Sequence, residues 1–135
     1  QNYTSIEEFV DRMNRYTTAS AKESQKDDHK KTYSGAQYIK TFREEFIRRM
    51  FQWEGHQDGG VGVSLSLLQS TYQLIVELKR AEIHQFAGNK NNIENTMDEI
   101  NTFSDELKYW YFDWQVKQRT GVSKLIWQMR RKFLK

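Results

Sequence analysis

Apolar residues along this chain recur at steps of three and four, the spacing of one face of a helix, and they do so in five stretches. In the first, Ser5 stands three residues before Glu8, a pattern that caps a helix N-terminus through reciprocal hydrogen bonds. Ile6, Phe9, Val10, Met13, Tyr16 and Thr17 follow at helical spacing. The stripe fades into residues 22–31, which hold no apolar member and predict an exposed helix end or a loop. A second helix is predicted over 34–53, with Tyr38, Ile39, Phe42, Phe46, Met50 and Trp53 on one stripe and Arg43, Glu44, Arg48 and Arg49 off it. Gly55 and Gly59-Gly60 then interrupt the pattern.

The third helix is predicted over 61–86, with Leu65, Leu68, Tyr72, Ile75 and Val76 as its apolar face and Gly88-Asn89 as its stop. The fourth covers 92–118. Its seam of Ile93, Met97, Ile100, Phe103, Leu107, Trp110, Tyr111 and Trp114 also suits pairing with another helix. Thr120-Gly121 breaks the chain again. A last helix over 122–134 places Val122, Leu125, Ile126, Met129 and Phe133 on one side. The expected fold is therefore all-α, a hairpin or bundle of about five helices, with oligomerisation left open. Two regions are expected, 1–90 and 91–135, the second being either part of the same domain or an oligomer arm.

Composition supports the helical reading. The chain has 135 residues, enough for one domain. Its apolar fraction is 37% and its charged fraction 29%, which suits slender, well-solvated helices. It has no proline, which helix interiors reject. It has no cysteine, so disulfides, thiolate metal sites and a cysteine nucleophile are excluded. The chain begins Gln1-Asn2-Tyr3, with neither a basic stretch nor an apolar run, so no secretory signal is expected. Residues 61–83 lean apolar but contain Ser64, Ser66, Ser70, Glu77, Lys79 and Arg80, too polar a set to cross a bilayer.

Charge is distributed unevenly behind a net +3. The fourth helix carries Glu94, Asp98, Glu99, Asp105, Glu106 and Asp113 against Lys108 and Lys117, whereas residues 119–135 carry six bases and no acid. The last helix is thus basic and amphipathic. Lys124, Trp127, Arg130, Arg131, Lys132 and Lys135 are candidates for contact with an anionic membrane surface, with bases on headgroups and Trp, Phe and Leu buried shallowly. The alternatives are an ordinary terminal helix with a solvated face, or a nucleic-acid contact, which the adjacent acidic helix disfavours. Tyr109, Trp110, Tyr111 and Trp114 cover more than one side of their helix, and a single buried stripe leaves some of them over. They are candidates for an interface with another subunit, a further domain or lipid headgroups; a helix sandwiched within the chain would also use them.

Catalytic patterns are missing. There is no phosphate-binding glycine loop, nucleophile elbow or Asp-x-Asp pair. His29, His56 and His84 stand apart from one another. His56 and Asp58 are two ligand-type residues in a glycine turn, a pattern more typical of turn chemistry than of a metal site. No catalytic residue, cofactor or metal ligand is expected in this chain.

The glycine turn carries a family resemblance. Gly55-His56-Gln57-Asp58-Gly59-Gly60-Val61-Gly62 resembles the Gly-x-x-Asp-Gly-x-x-Gly signature of the C-terminal part of bacterial family 2 glycosyltransferases, enzymes that build lipopolysaccharide core and other surface glycans. Tyr3-Thr4-Ser5-Ile6-Glu7-Glu8-Phe9 with Asn14-Arg15-Tyr16-Thr17-Thr18, the aromatics Phe42 and Phe46, and the segment 64–72 keep the family's order over residues 1–86. The chain departs from the family in having His56 and Gln57 where apolar residues are usual, and in lacking a proline before the aromatic helix. The resemblance implies a non-catalytic tail that follows a nucleotide-binding catalytic domain absent from this sequence. Such a tail would pack on that domain and lie at the inner face of the cytoplasmic membrane. Gly55, Asp58, Gly59 and Gly62 would shape the turn between two amphipathic helices, with Asp58 either contacting acceptor or capping the next helix. The other expectation is a self-associating helical interaction module unrelated to sugar transfer.

Overall fold

A computed structural model describes residues 5–23, 33–86 and 93–132. Among these the structure is all-α. It comprises α1 (Ile6–Glu23), α2 (Gly35–Ile47), α3 (Gly59–Ile83), α4 (Ile93–Lys117) and α5 (Gly121–Lys132). Tyr3-Thr4, most of the polar stretch 22–31 with His29, the expected stop Gly88-Asn89, and Phe133, Leu134 and Lys135 lie outside the described residues.

Local chemistry sets the helix starts. The Ser5 hydroxyl accepts from the Glu8 amide at 3.1 Å, and the Ser34 hydroxyl accepts from Gln37 N at 3.2 Å. Each satisfies one of the amides that a helix N-terminus leaves open. Two ends differ from the pattern reading. The second helix was expected to run to residue 53, but α2 gives way at Ile47 to a π-helical turn, Arg48–Gln52, closed by Trp53 N donating to Arg48 O at 2.8 Å. Glu45, buried, binds both Arg48 and Arg49 at this point. The third helix was expected to reach residue 86, but α3 ends at Ile83. Gln85 there adopts φ 52°, Gln85 N donates to Glu82 O, and Phe86 N donates to Ala81 O. This pair of bonds is a Schellman stop made without glycine.

The helices touch in the order α1, α3, α2, α4, α5. The α1–α3 contact buries Phe9, Thr17 and Ala21, and removing Phe9 from water is worth about 2–3 kcal/mol. Lys79 Nζ reaches across to Asn14 O, Asn14 Oδ1 and Thr18 Oγ1 at 2.7–2.8 Å. Ile6, Val10 and Tyr16 of the expected stripe are exposed. The α3–α2 contact is a second departure. The buried ridge of α3 is Gly62, Ser66, Ser70, Val76, Glu77 and Ala81, whereas Leu65 of the expected apolar face is 47% exposed. Small residues let two helix backbones approach closely. The buried hydroxyls remain satisfied by donating back along their own helix, Ser66 to Gly62 O at 2.8 Å and Ser70 to Ser66 O at 2.6 Å.

The Tyr38 hydroxyl is buried and finds no hydrogen-bond partner among the described residues. Burial raises its pKa, with a further upward push from the charge of Glu77. An unpaired buried hydroxyl costs about 1–3 kcal/mol. Tyr38→Phe is therefore expected to leave the urea midpoint unchanged or raise it; a clear fall would show that the hydroxyl has a partner.

Candidate functional site

Three features collect the residues that the sequence marks out. The first is the glycine turn. Glu54 takes a left-handed conformation (φ 58°) and leads into a 3-10 turn, Gly55–Asp58, that delivers the chain to α3. Gly59 has φ 60° and ψ −139°, a region open only to glycine. A Cβ on Gly62 would lie 1.8 Å from Gly55 O, and one on Gly55 would lie 2.8 Å from Arg49 O. Gly55, Gly59 and Gly62 thus each have a steric reason. Asp58 stands at the N-cap of α3, but its side chain makes no capping hydrogen bond and is exposed. His56 Nδ1 lies 2.8 Å from Met50 O, which ties the turn back to the π-helical segment. Met50, Phe51 and His56 join Tyr111 and Trp114 of α4 around an open apolar cavity of about 300 Å³. Among the described residues no three His, Cys, Asp or Glu side chains are grouped so as to hold a metal ion.

The second feature is α4, where the aromatic cluster divides. Trp110 stacks on Phe51 at 5.4 Å, and Tyr109 meets Trp110 edge-on and receives the Arg131 guanidinium over its ring. Those two rings serve contacts within the chain. Tyr111 and Trp114 remain exposed. On its α2 side, α4 presents Phe103 to Phe42 and Phe46. Between those rings and the solvent lies an ion network that the periodicity did not reveal. Arg43, placed off the apolar stripe by its spacing, is buried and donates from Nε to Glu99 at 2.7 Å and from NH1 to Glu106 at 2.6 Å. Burial pulls the Arg43 pKa down; the hydrogen bonds and charges of Glu106 and Glu99 outweigh it, and the net shift is upward. The only advance sign was the excess of acids on the fourth helix.

The third feature is α5. Trp127 packs against Phe112 at 5.3 Å and Tyr111 at 6.0 Å, with Arg119 and Arg130 over its ring. Arg131 binds Asp113, which Lys117 also approaches at 3.2 Å. These contacts hold the Ser123, Trp127 and Arg131 side of α5 on α4. At 100° per residue, Val122, Leu125, Ile126 and Met129 fall on the opposite side, and all four are exposed. Arg130 and Lys132 flank that stripe, and Lys124 is exposed beyond it. Of the candidate surface residues, then, Trp127 and Arg131 are engaged within the chain, Arg130 is exposed but lays its guanidinium over the Trp127 ring, and Lys124 and Lys132 are exposed. No described helix is long and apolar enough to cross a membrane.

No protein-family model, no curated protein and no solved structure matches this chain.

Proposed function

We propose that this chain is a non-catalytic helical accessory module that docks on an anionic membrane surface through α5, as the C-terminal region of a membrane-associated family 2 glycosyltransferase would. The observation that carries this reading is the orientation of α5. Its polar-and-tryptophan side is spent on α4, and its apolar stripe of Val122, Leu125, Ile126 and Met129 is turned outward between bases. A helix of this design lies in the interfacial plane of a bilayer. Each base near an anionic surface adds about 1 kcal/mol, screened by salt. The parentage rests on the resemblance of the glycine turn, at which Gly55, Gly59 and Gly62 of this chain each have a steric reason. Any donor or acceptor chemistry would belong to a catalytic domain outside this sequence.

Co-sedimentation with vesicles tests the docking role. Binding is expected to anionic but not neutral vesicles and to weaken as salt rises. Neutralising Lys124, Arg130 and Lys132 together is expected to weaken it about a hundredfold, at about 1 kcal/mol per base. Leu125→Ala with Met129→Ala should weaken it at least tenfold, from the apolar area lost. Vesicle binding that survives both changes would remove α5 from the role. A self-associating interaction module is the second reading, favoured by one observation on α4.

A further inference from the structure

We propose that α4 pairs, antiparallel, with α4 of a second copy of this chain. The seam is formed by Ile93, Met97, Ile100, Leu107, Tyr111 and Trp114, with Ser104 in the same register. The inference is independent of membrane docking, because it uses a different helix and a different face.

The steps along this seam are four, three, four, three, four and three residues, an average of 3.5, which is the repeat that keeps two helices in continuous contact. Ile93, Met97 and Ile100 are exposed, whereas Leu107 is half-buried, and Tyr111 and Trp114, though exposed, also border the cavity beside Phe51 and His56, with Tyr111 against Trp127. The α2 contact takes Glu99, Phe103, Glu106 and Trp110, and the α5 contact takes Phe112, Asp113 and Val116. Ile93 is 70% exposed, Met97 50% and Tyr111 50%, with Ile100 and Trp114 also exposed, so apolar side chains stand in water towards both ends of the seam on either side of the half-buried Leu107. Twenty-five helical residues give a contact line of about 37 Å.

The occupant follows from the taper of the seam. Its first half is aliphatic or small (Ile93, Met97, Ile100, Ser104), and its second half is bulky (Leu107, Tyr111, Trp114). A parallel pair would stack Trp on Trp at one end and Ser on Ser in the middle. An antiparallel pair sets Ser104 opposite Leu107, Ile100 opposite Tyr111, and Met97 opposite Trp114 of the second copy, large against small in every layer. The helix dipoles then also oppose each other. A second copy of α4 therefore supplies the complementary shape that the seam lacks.

Sedimentation equilibrium of the full chain in lipid-free buffer is the test. The expected mass is twice 16.3 kDa. Ile100→Glu is expected to return the monomer mass with unchanged far-ultraviolet dichroism; should that variant lose helix, Met97→Glu, on the more open part of the seam, takes its place. Because the chain has no cysteine, single cysteines report orientation. Met97→Cys and Trp114→Cys chains, mixed and oxidised, should form the mixed disulfide, and Met97→Cys alone should not cross-link. A wild-type mass of one chain at tens of micromolar, or a dimer unmoved by both glutamate variants, overturns the interface. Efficient self-linking of Met97→Cys overturns the antiparallel register. None of these outcomes bears on vesicle binding by α5, which the monomeric variant retains if the docking role is right.

Discussion

Gly62→Ala is expected to destabilise the fold by about 3 kcal/mol or more, at the top of the range for overpacking. The new Cβ would fall 1.8 Å from Gly55 O and 2.8 Å from Gly55 C, both backbone atoms. A flexible side chain could move aside; a backbone carbonyl in a 3-10 turn cannot without shifting the turn and the α2–α3 ridge behind it. The melting temperature should drop by roughly 10 °C or more for a chain of this size. Gly60→Ala is the control. A Cβ there meets nothing within 4 Å, and alanine is the better helix former by about 1 kcal/mol, so stability should hold or rise. Equal effects at the two positions would mean that the close approach of Gly62 to Gly55 does not exist.

Arg43→Met is expected to cost about 2–3 kcal/mol in urea unfolding. Removing one partner of a buried ion pair typically costs about 3–5 kcal/mol, because charge is left buried without compensation. The lower figure applies because the Glu106 side chain is 37% exposed and water screens it, whereas that of Glu99 is only 19% exposed. Arg43→Lys should fall between, since an ammonium lacks the fork that reaches both carboxylates at once. Changing Arg43, Glu99 and Glu106 together to apolar residues of similar size should recover most of the loss, as no buried charge then remains. If the triple variant is no more stable than Arg43→Met, the cost lies in packing rather than in the ions.

These two residues also mark how far the fold was legible beforehand. The glycines were visible as a break, and the structure gives three of them, 55, 59 and 62, a steric reason to be glycine. The spacing of Arg43 places it off the stripe of Phe42 and Phe46 and gives no sign of its burial. Periodicity reports one helix at a time. Arg43 is buried only because α4 approaches α2 from that side and brings Glu99 and Glu106 with it. The serines of α3 misled for a related reason. A hydroxyl that donates to its own helix costs little to bury, so Ser66 and Ser70 could form the contact ridge while Leu65 remained in water.

The pattern of apolar steps, the capping serines at 5 and 34, and the glycine breaks at 55–62 and 121 determined that the described residues form five α-helices and where most of them start. Those are local properties, set within a few residues. Which face of each helix is covered was decided only by tertiary structure. The helices α1, α3, α4 and α5 each carry more than one stripe able to pack, and the choice depends on which neighbour arrives, at what distance and with what charge. The basic α5 meets the acidic α4 through Arg131 and Asp113, and that ion pair, together with Trp127, leaves the apolar stripe of α5 in the solvent.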